Sequence, residues 1–332
     1  LTNTTGASNV SIGTYALNAN TTASNNTAVG HQSLTANTTG AEGVAVGMSA
    51  LAANTTGNYG VAVGTYALDA NTTGDNNIAI GRSALGVNTT GDSNTVVGTF
   101  ALDANTTADN NTAVGYAALT ANTTGTRNTA VGSGSADAIT TGSYNTAVGY
   151  LSLSSATTAT KNTAVGDYAL NATTTGVSNT AVGQGALQTN STGTLNVAMG
   201  VDALNQNTTG ANNVAVGVNS LDACTTGASN CGIGINAGGG ITTGNHNIGI
   251  GNNTFVESVV LTTGGQNIII GNFSRTDAVD STYAIGLGYN ISATGGYTTF
   301  GESLADIRTA HGSTSWATVS DQRYKKDIVD ST

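Results

Sequence analysis

The chain has 332 residues, of which 46 are glycine, none is proline and only 8% are charged. Ordinary globular chains carry about 25% charged residues, and disordered chains are typically rich in charge and proline, so neither class fits. The net charge of −10 argues against electrostatic binding of nucleic acid or anionic lipid, and no apolar run is long enough to span a membrane.

A 17-residue repeat organises residues 1–251. A glycine preceded by Val, Ile or Met recurs at fifteen places from Gly13 to Gly251, always 17 residues apart. The consensus unit is N-T-A-V-G-x-x-A-L-x-A-N-T-T-G-x-x, with positions counted from the glycine after V, so that V is −1 and L is +4. Helical repeats need about 33 to 47 residues, so each unit has room only for two short strands and two turns.

Stacking such units at about 4.8 Å predicts an all-β fold, a parallel β-solenoid or β-roll. This accounts for the missing proline, because every coil is a central strand to its neighbours and proline cannot donate to the ladder. It also accounts for the scarcity of charge, because a charge would stack on its own copy in the next coil. Asn and Thr can instead hydrogen-bond to their own copies.

The alternation in N-T-A-V-G predicts which side chains face the core. Positions −3 and −1 share one face of the strand and the alanine at −2 takes the other. We expect Val and Leu rows to fill the core and the alanine row to form a flat outer face that contacts other chains; a plain solvent face is the alternative. The row includes Ala28, Ala45, Ala62, Ala113 and Ala130.

The unit N-T-A-V-G-x-x-A-L, which runs in character through residues 1–301, resembles the head repeat of YadA-like trimeric autotransporter adhesins. The resemblance implies a parallel homotrimeric fibre. The period breaks in residues 252–301, and irregular loops on regular scaffolds carry function, so we predict receptor binding there. The candidates are aromatic residues suited to sugar stacking, and closure of the solenoid end is the alternative role: Phe255, Phe273, Tyr283, Tyr289 and Tyr297.

Residues 302–319 form a junction, after which the composition changes. The stretch S-D-Q-R-Y-K-K-D-I over residues 320–328 resembles the start of the endosialidase-type intramolecular chaperone of phage tail fibres. That resemblance implies a domain, truncated here to residues 320–332, that trimerises the fibre and cleaves itself at Val319–Ser320. Ser320 would be the nucleophile and Lys325 its base. An ordinary charged helix with Ser320 as N-cap is the alternative.

Other candidate sites carry weaker signals. Asp75, Asp92 and Asp109 occupy the same position of successive coils, which predicts at most a weak cation site and otherwise solvated turns. Asp69 and Asp103 also share a position, two coils apart. Cys224 and Cys231 flank one turn, where a disulfide and plain core packing are both open.

The sequence thus predicts a structural and adhesive fibre segment, favouring a phage tail fibre in the virion tail. Its expected partners are its own copies in a homotrimer, a host-surface glycan or protein, and other tail or baseplate proteins at the N-terminal end. We expect no nucleic-acid partner, membrane insertion, cofactor, metal or substrate turnover beyond self-cleavage. The alternatives are a bacterial surface trimeric adhesin and an ice-binding solenoid with threonine rows at +8 and +9.

Overall fold

The computed structural model describes residues 3–256, 261–302, 306–313 and the backbone of 317–318. The fold is the predicted all-β parallel solenoid, with about 17 turns of roughly 17 residues. The described residues contain no α-helix, and therefore no helix able to cross a membrane. The chain divides into two compact units, Leu1–Ser178 (unit 1) and Asn179–Thr332 (unit 2).

Unit 1 has one three-residue strand in each coil. Each strand from the first coil to the ninth pairs in parallel with the strand of the next coil, without a register slip, so that Thr27 pairs with Val44 and Val44 with Val61. The strands are β1 (Val10–Ile12), β2 (Thr27–Val29), β3 (Val44–Val46), β4 (Val61–Val63), β5 (Ile78–Ile80), β6 (Thr95–Val97), β7 (Thr112–Val114), β8 (Thr129–Val131), β9 (Thr146–Val148) and β10 (Thr163–Val165).

Unit 2 begins in the same way and then changes. Its first coils carry β11 (Thr180–Val182), β12 (Val197–Met199), β13 (Val214–Val216), β14 (Cys231–Ile233), β15 (Ile248–Ile250) and β16 (Ile268–Ile270). The later strands are β17 (Arg275–Thr276), β18 (Ile285–Tyr289), β19 (Ser292–Ala293), β20 (Tyr297–Glu302), β21 (Ile307–Ala310) and β22 (Ala317–Thr318). β16, β18 and β20 continue the parallel ladder, β17 pairs with β19, and β20, β21 and β22 pair antiparallel.

The predicted assignment of the two strand faces is wrong. The alanines at −2, such as Ala45 and Ala62, are completely buried, whereas the valines at −1 lie at the surface, with Val63 36% exposed. The reason is the narrowness of the coil. Where Gly232 replaces this alanine, a Cβ would lie only 2.9 Å from Cγ of Leu221. The interior therefore takes a small residue at −2 in most coils, with the buried Val96 and Ile269 as exceptions, and the side chains at −3 and −1 point outward.

The leucines at +4 form the apolar row of the core, as predicted, but in a backbone conformation that the sequence did not indicate. Leu68 is fully buried and has φ of 52°, in the left-handed region. That conformation costs roughly 1–2 kcal/mol, and full burial of the side chain offsets it by about 2 kcal/mol. The Leu68 amide donates to the carbonyl of Ala84 at 3.0 Å, which adds a second hydrogen-bond ladder along the coils.

The strand-terminal glycine is required by both conformation and space. Gly64 has φ of +134°, and a Cβ there would lie 2.7 Å from the carbonyl oxygen of Gly81 in the next coil. A side chain at this position would therefore clash with backbone, which explains why the glycine recurs in every 17-residue unit.

Buried asparagines at +7 stack into a ladder, which confirms that Asn bonds to its own copies. Asn54 Nδ2 donates to Asn37 Oδ1 at 3.0 Å, and Asn71 Nδ2 donates to Asn54 Oδ1 at 2.9 Å. Each amide also holds the next turn, as when Asn71 donates to the carbonyl of Gly74 at 3.0 Å. A second buried row at −4 accepts backbone amides, and Asn94 N–H donates to Asn77 Oδ1 at 3.0 Å.

Candidate functional site

The outward-facing strand surface, defined by positions −3 and −1, presents half-buried and exposed side chains in the coils of both units. These positions hold only Val, Ile, Thr, Met and Cys from β1 to β15, without a charged side chain. In unit 1, Ile78 and Ile80 of one strand are both exposed, and in unit 2 Met199 and Ile233 are exposed. Water-exposed apolar rows of this length are unusual on monomeric proteins.

The aspartates proposed as weak cation ligands are engaged in the backbone. The Asn58 amide donates to Asp75 Oδ1 at 2.6 Å, the Asp75 amide to Asp92 at 2.7 Å, and the Asp92 amide to Asp109 at 2.7 Å. Elsewhere Ser143 accepts the same bond from Thr126 at 3.0 Å. The position therefore supplies an acceptor that links coils, and the described residues hold no group of three metal-ligand side chains.

Phe255, a proposed receptor contact, lies inside the solenoid. Its side chain is completely buried, at the +4 position that leucine holds elsewhere. Gly249 stands at −2 of the same coil, and a Cβ there would lie 3.1 Å from the Phe255 ring. The larger ring thus fills the space that the missing alanine methyl leaves. This placement corrects the expectation of a receptor contact. Phe255 is a core residue and does not close the solenoid end, because the parallel ladder continues beyond its coil through β16, β18 and β20.

The other four aromatic candidates lie at or near the surface of unit 2. Phe273 and Tyr289 make an edge-to-face contact with ring centroids 5.9 Å apart. Tyr283 and Tyr289 are about half exposed. Tyr297 is half-buried, with the Arg308 guanidinium carbon 5.4 Å from its ring centroid. Receptor binding by these residues remains a prediction.

The predicted self-cleavage residues, Ser320 and Lys325, and the Val319–Ser320 bond lie outside the described residues. Their roles stay predictions from the resemblance.

The two cysteines are free thiols in different environments. Cys224 is buried at +7, within the asparagine row, and donates weakly to the carbonyl of Gly227 at 3.5 Å. Burial raises the pKa of its thiol to about 11. Cys231 begins β14 on the outward face, and burial raises its pKa as well. The sequence left open a disulfide and plain packing; in the structure the two thiols are not bonded to each other and pack separately.

In the threonine rows on which the ice-binding alternative depends, some of the hydroxyls already donate hydrogen bonds to the protein. At +8, Thr38 Oγ1 donates to the carbonyl of Thr55 at 2.9 Å, and Thr55 Oγ1 to that of Thr72 at 2.9 Å. These hydroxyls are committed to the next coil. The threonines at +9, such as Thr39 and Thr56, are exposed.

Polar side chains also gather on the segment from +1 to +6, which we call the turn segment. In unit 2 a cavity of about 240 Å³ opens there, lined by Asp202, Asn205, Gln206, Asn219 and Asp222. Asn205 Nδ2 donates to Asp202 Oδ1 at 3.0 Å, so positions +2 and +5 of one coil can touch. Burial, with a smaller effect of Asp202, raises the pKa of Asp222.

The turn segment of unit 1 carries aromatic and charged groups as well. The Arg82 guanidinium carbon lies 4.5 Å from the Phe100 ring centroid, and Phe100 contacts Tyr116 edge to face at 6.3 Å. Sequence reasoning noticed the shared position of Asp69 and Asp103 but missed these neighbours. The signal was available, because Tyr66 and Phe100 also share a position, two coils apart.

Comparisons with known protein families, with curated proteins and with solved structures give no match for this chain.

Proposed function

We propose that the chain is a structural and adhesive fibre segment in which three copies pack side by side through their outward-facing strand surfaces. The observation that carries this proposal is the charge-free, mostly β-branched row at positions −3 and −1, which is half-buried in some coils and exposed in others. The interface is therefore assigned to positions −3 and −1 and not to the alanine row, which is buried.

A second copy of the same chain is the partner that this surface suits best. Its side chains recur once per coil, about every 4.8 Å. In a parallel copy the side chains and the gaps between them have the same spacing, so the two surfaces can interdigitate. Apolar patches beyond a few hundred Å² mark interaction sites, and burying such rows in several copies would remove them from water. Three copies in a closed ring follow from the resemblance to trimeric adhesins, and closed symmetry leaves no interface unpaired.

The favoured source is a phage tail fibre in the virion tail, with a bacterial surface adhesin as the alternative. The further partners are a host-surface glycan or protein and, at the N-terminal end, tail or baseplate proteins. The proposal includes no substrate turnover and no cofactor.

Sedimentation or native mass measurement tests the assembly. We expect a species of three times 32.6 kDa. Val131→Lys places a charge on the outward-facing surface of β8 and should dissociate it with the β-sheet circular dichroism unchanged. Thr141→Lys, at the exposed +9 position of the same coil, is the matched control and should stay trimeric. A monomeric parent chain contradicts the proposal, and thermal hysteresis in that monomer would favour the ice-binding alternative.

Self-cleavage needs its own experiment. In a chain that carries the complete chaperone, we expect cleavage between Val319 and Ser320, and Ser320→Ala should abolish release of the C-terminal fragment. Lys325→Met should slow the reaction, because it removes the base that activates the hydroxyl. Cleavage at the same bond in the Ser320→Ala variant would reject this assignment.

A further inference from the structure

We propose that a basic cluster in unit 1, formed by Arg127, Tyr144 and Lys161, binds an oxyanion group, carboxylate or phosphate, of an acidic glycan. The three residues hold position +12 of three successive coils. The proposal deepens the adhesive part of the proposed function and rests on it for biological meaning, while binding of the anion can be measured independently. It assigns recognition to the regular coils and not to residues 252–301, where the period breaks.

The hydrogen-bond ladder of the solenoid holds the three side chains side by side. The Tyr144 amide donates to the carbonyl of Thr126 at 3.1 Å, and the Lys161 amide donates to that of Ser143 at 3.1 Å. Position +12 therefore advances by about 4.8 Å from coil to coil. The residues of the basic cluster share one backbone conformation, with φ between 57° and 62°, and all three are exposed. Their side chains therefore leave the coils in the same direction.

Arg127 lies over the middle coil of the basic cluster. Its Nη1 donates to the Tyr144 hydroxyl oxygen at 2.6 Å, and its guanidinium carbon lies 5.3 Å from the ring centroid. This bond uses one of the five N–H donors of a guanidinium, and the phenol that accepts it keeps its own proton to donate. Lys161 follows one coil on and adds an ammonium with three donors on a flexible four-carbon stem.

An acidic row beside the basic cluster ends where the cluster begins. Position +11 holds aspartate in the three coils that end with Asp109. The next three coils have a hydroxyl residue there: Thr126, Ser143 and Thr160. The Asp109 carboxylate is turned to the coil before, where it accepts the Asp92 amide at 2.7 Å, whereas the Arg127 guanidinium is turned to the coil after. The two opposite charges therefore point away from each other.

The basic cluster is thus a positive patch that the chain itself does not neutralise. Neither Arg127 nor Lys161 forms an ion pair with a described residue. Between residues 110 and 250 every acidic residue lies on the turn segment. The Debye length of about 8 Å at physiological salt is less than two coil steps, so the net charge of −10 is largely screened at this distance. A guanidinium binds carboxylate and phosphate alike through paired N–H donors, which is why we assign an oxyanion.

Saturation-transfer NMR on the intact chain tests the basic cluster. Glucuronate and glucose 6-phosphate carry the two kinds of oxyanion, and methyl α-glucopyranoside is the neutral probe. We expect transfer to at least one acidic sugar, at least tenfold less to the neutral one, and loss of transfer when salt rises from about 20 mM to about 500 mM. Transfer to only one of the acidic sugars identifies the source of the oxyanion.

Two variants at position +11 separate charge from shape. Ser143→Asp places a carboxylate in the middle coil of the basic cluster and should abolish transfer. Ser143→Asn is the matched control without charge and should bind as the parent. Both replacements occur at +11 of other coils, in Asp75 and Asn245, and accept the same amide bond there, so both variants should fold.

Arg127→Gln and Lys161→Gln should each reduce affinity at least tenfold. Arg82→Gln is the control and should leave affinity unchanged, because it removes a guanidinium that packs on Phe100 in the turn segment.

The proposal is overturned by no transfer to either acidic sugar, by equal transfer to the neutral one, or by unchanged transfer with Ser143→Asp. Equal loss in both Ser143 variants also overturns it, because charge would then not be the cause. Binding by a chain that sediments as a monomer would support the basic cluster while rejecting the fibre, and a trimer without binding would do the reverse.

Discussion

Two stretches of unit 1 fill the same buried position in different ways. From Asn3 to Asn122 the position at +7 is always asparagine, and from Asn20 onward each amide donates to the asparagine of the coil before. The next three coils place Ile139, Ala156 and Thr173 there, and all three are completely buried. The coil therefore accepts either a hydrogen-bonded row or a mainly apolar one.

Where the asparagine row meets the apolar row, one buried acceptor is left without a hydrogen bond. Asn122 Oδ1 is buried without a hydrogen-bond partner, because Ile139 in the next coil has no side-chain donor. Unit 2 repeats the pattern, since Asn207 Oδ1 has no partner where Cys224 follows it. A buried unpartnered acceptor costs about 1–3 kcal/mol. In a stack, the neighbour of each residue is its own equivalent, so the energetic cost lies at the boundary between two residue types and not within either run.

The largest loss of stability is expected from a substitution in the interior of the asparagine ladder at +7. Asn71→Leu removes the donations to Asn54 Oδ1 and to the Gly74 carbonyl, and takes from Asn88 Nδ2 one of its two acceptors. Three affected bonds and newly unpartnered groups predict a loss of about 2–4 kcal/mol in the free energy of unfolding. Guanidinium titration followed by circular dichroism measures it. A loss below about 1 kcal/mol would show that the ladder is not a source of stability.

The Cys224 thiol, which interrupts the asparagine row of unit 2, predicts that stability depends on pH. Burial raises the pKa of Cys224 from 9.0 to about 11, so between these values the unfolded chain loses its proton while the folded chain keeps it. Stability is then fully present below pH 9 and decreases as the pH rises towards 11, by about 2 kcal/mol.

Urea titrations of the parent chain and of Cys224→Ala at pH 8 and at pH 10.5 isolate this contribution, because the two proteins differ only at residue 224. The parent should lose more stability than the variant over this range. Equal losses in the two proteins would contradict the assignment of the effect to Cys224.

A smaller loss is expected from removing the last asparagine before the junction. Asn122 donates to Gly125 at 2.9 Å and to Asn105 at a long 3.3 Å, and its own oxygen accepts nothing. Asn122→Leu moves the unpartnered acceptor to Asn105 and gains apolar contact with Ile139, so we predict a loss of about 1 kcal/mol. Measured beside Asn71→Leu, an equal loss would reject the distinction between interior and junction.

The sequence alone predicted the solenoid, because a 17-residue register without slips leaves few other folds. It also predicted that asparagines bond to their copies. It assigned the strand faces wrongly, because alternation says that Val63 and Ala62 point to opposite sides but not which side is the core. That choice depends on how closely the leucine row approaches position −2, as Leu221 approaches Gly232, and the repeat period carries no information on that distance.

The smallest change in stability is expected from restoring asparagine at position 224 of unit 2, where cysteine interrupts the row. This substitution also tests most directly whether the energetic cost lies at the boundary between two residue types. In Cys224→Asn the new amide would donate to Asn207 Oδ1 and to the Gly227 carbonyl, which the consensus residue does in other coils. Its own oxygen would then face Ile241, so the unpartnered acceptor moves by one coil and does not vanish. We therefore predict a gain of no more than about 1 kcal/mol, together with loss of the stability change assigned to the thiol between pH 9 and 11. A gain of about 3 kcal/mol would mean that the cost lies in the cysteine itself and not at the boundary. A destabilisation comparable to that of Asn71→Leu would mean that an isolated amide cannot join the row.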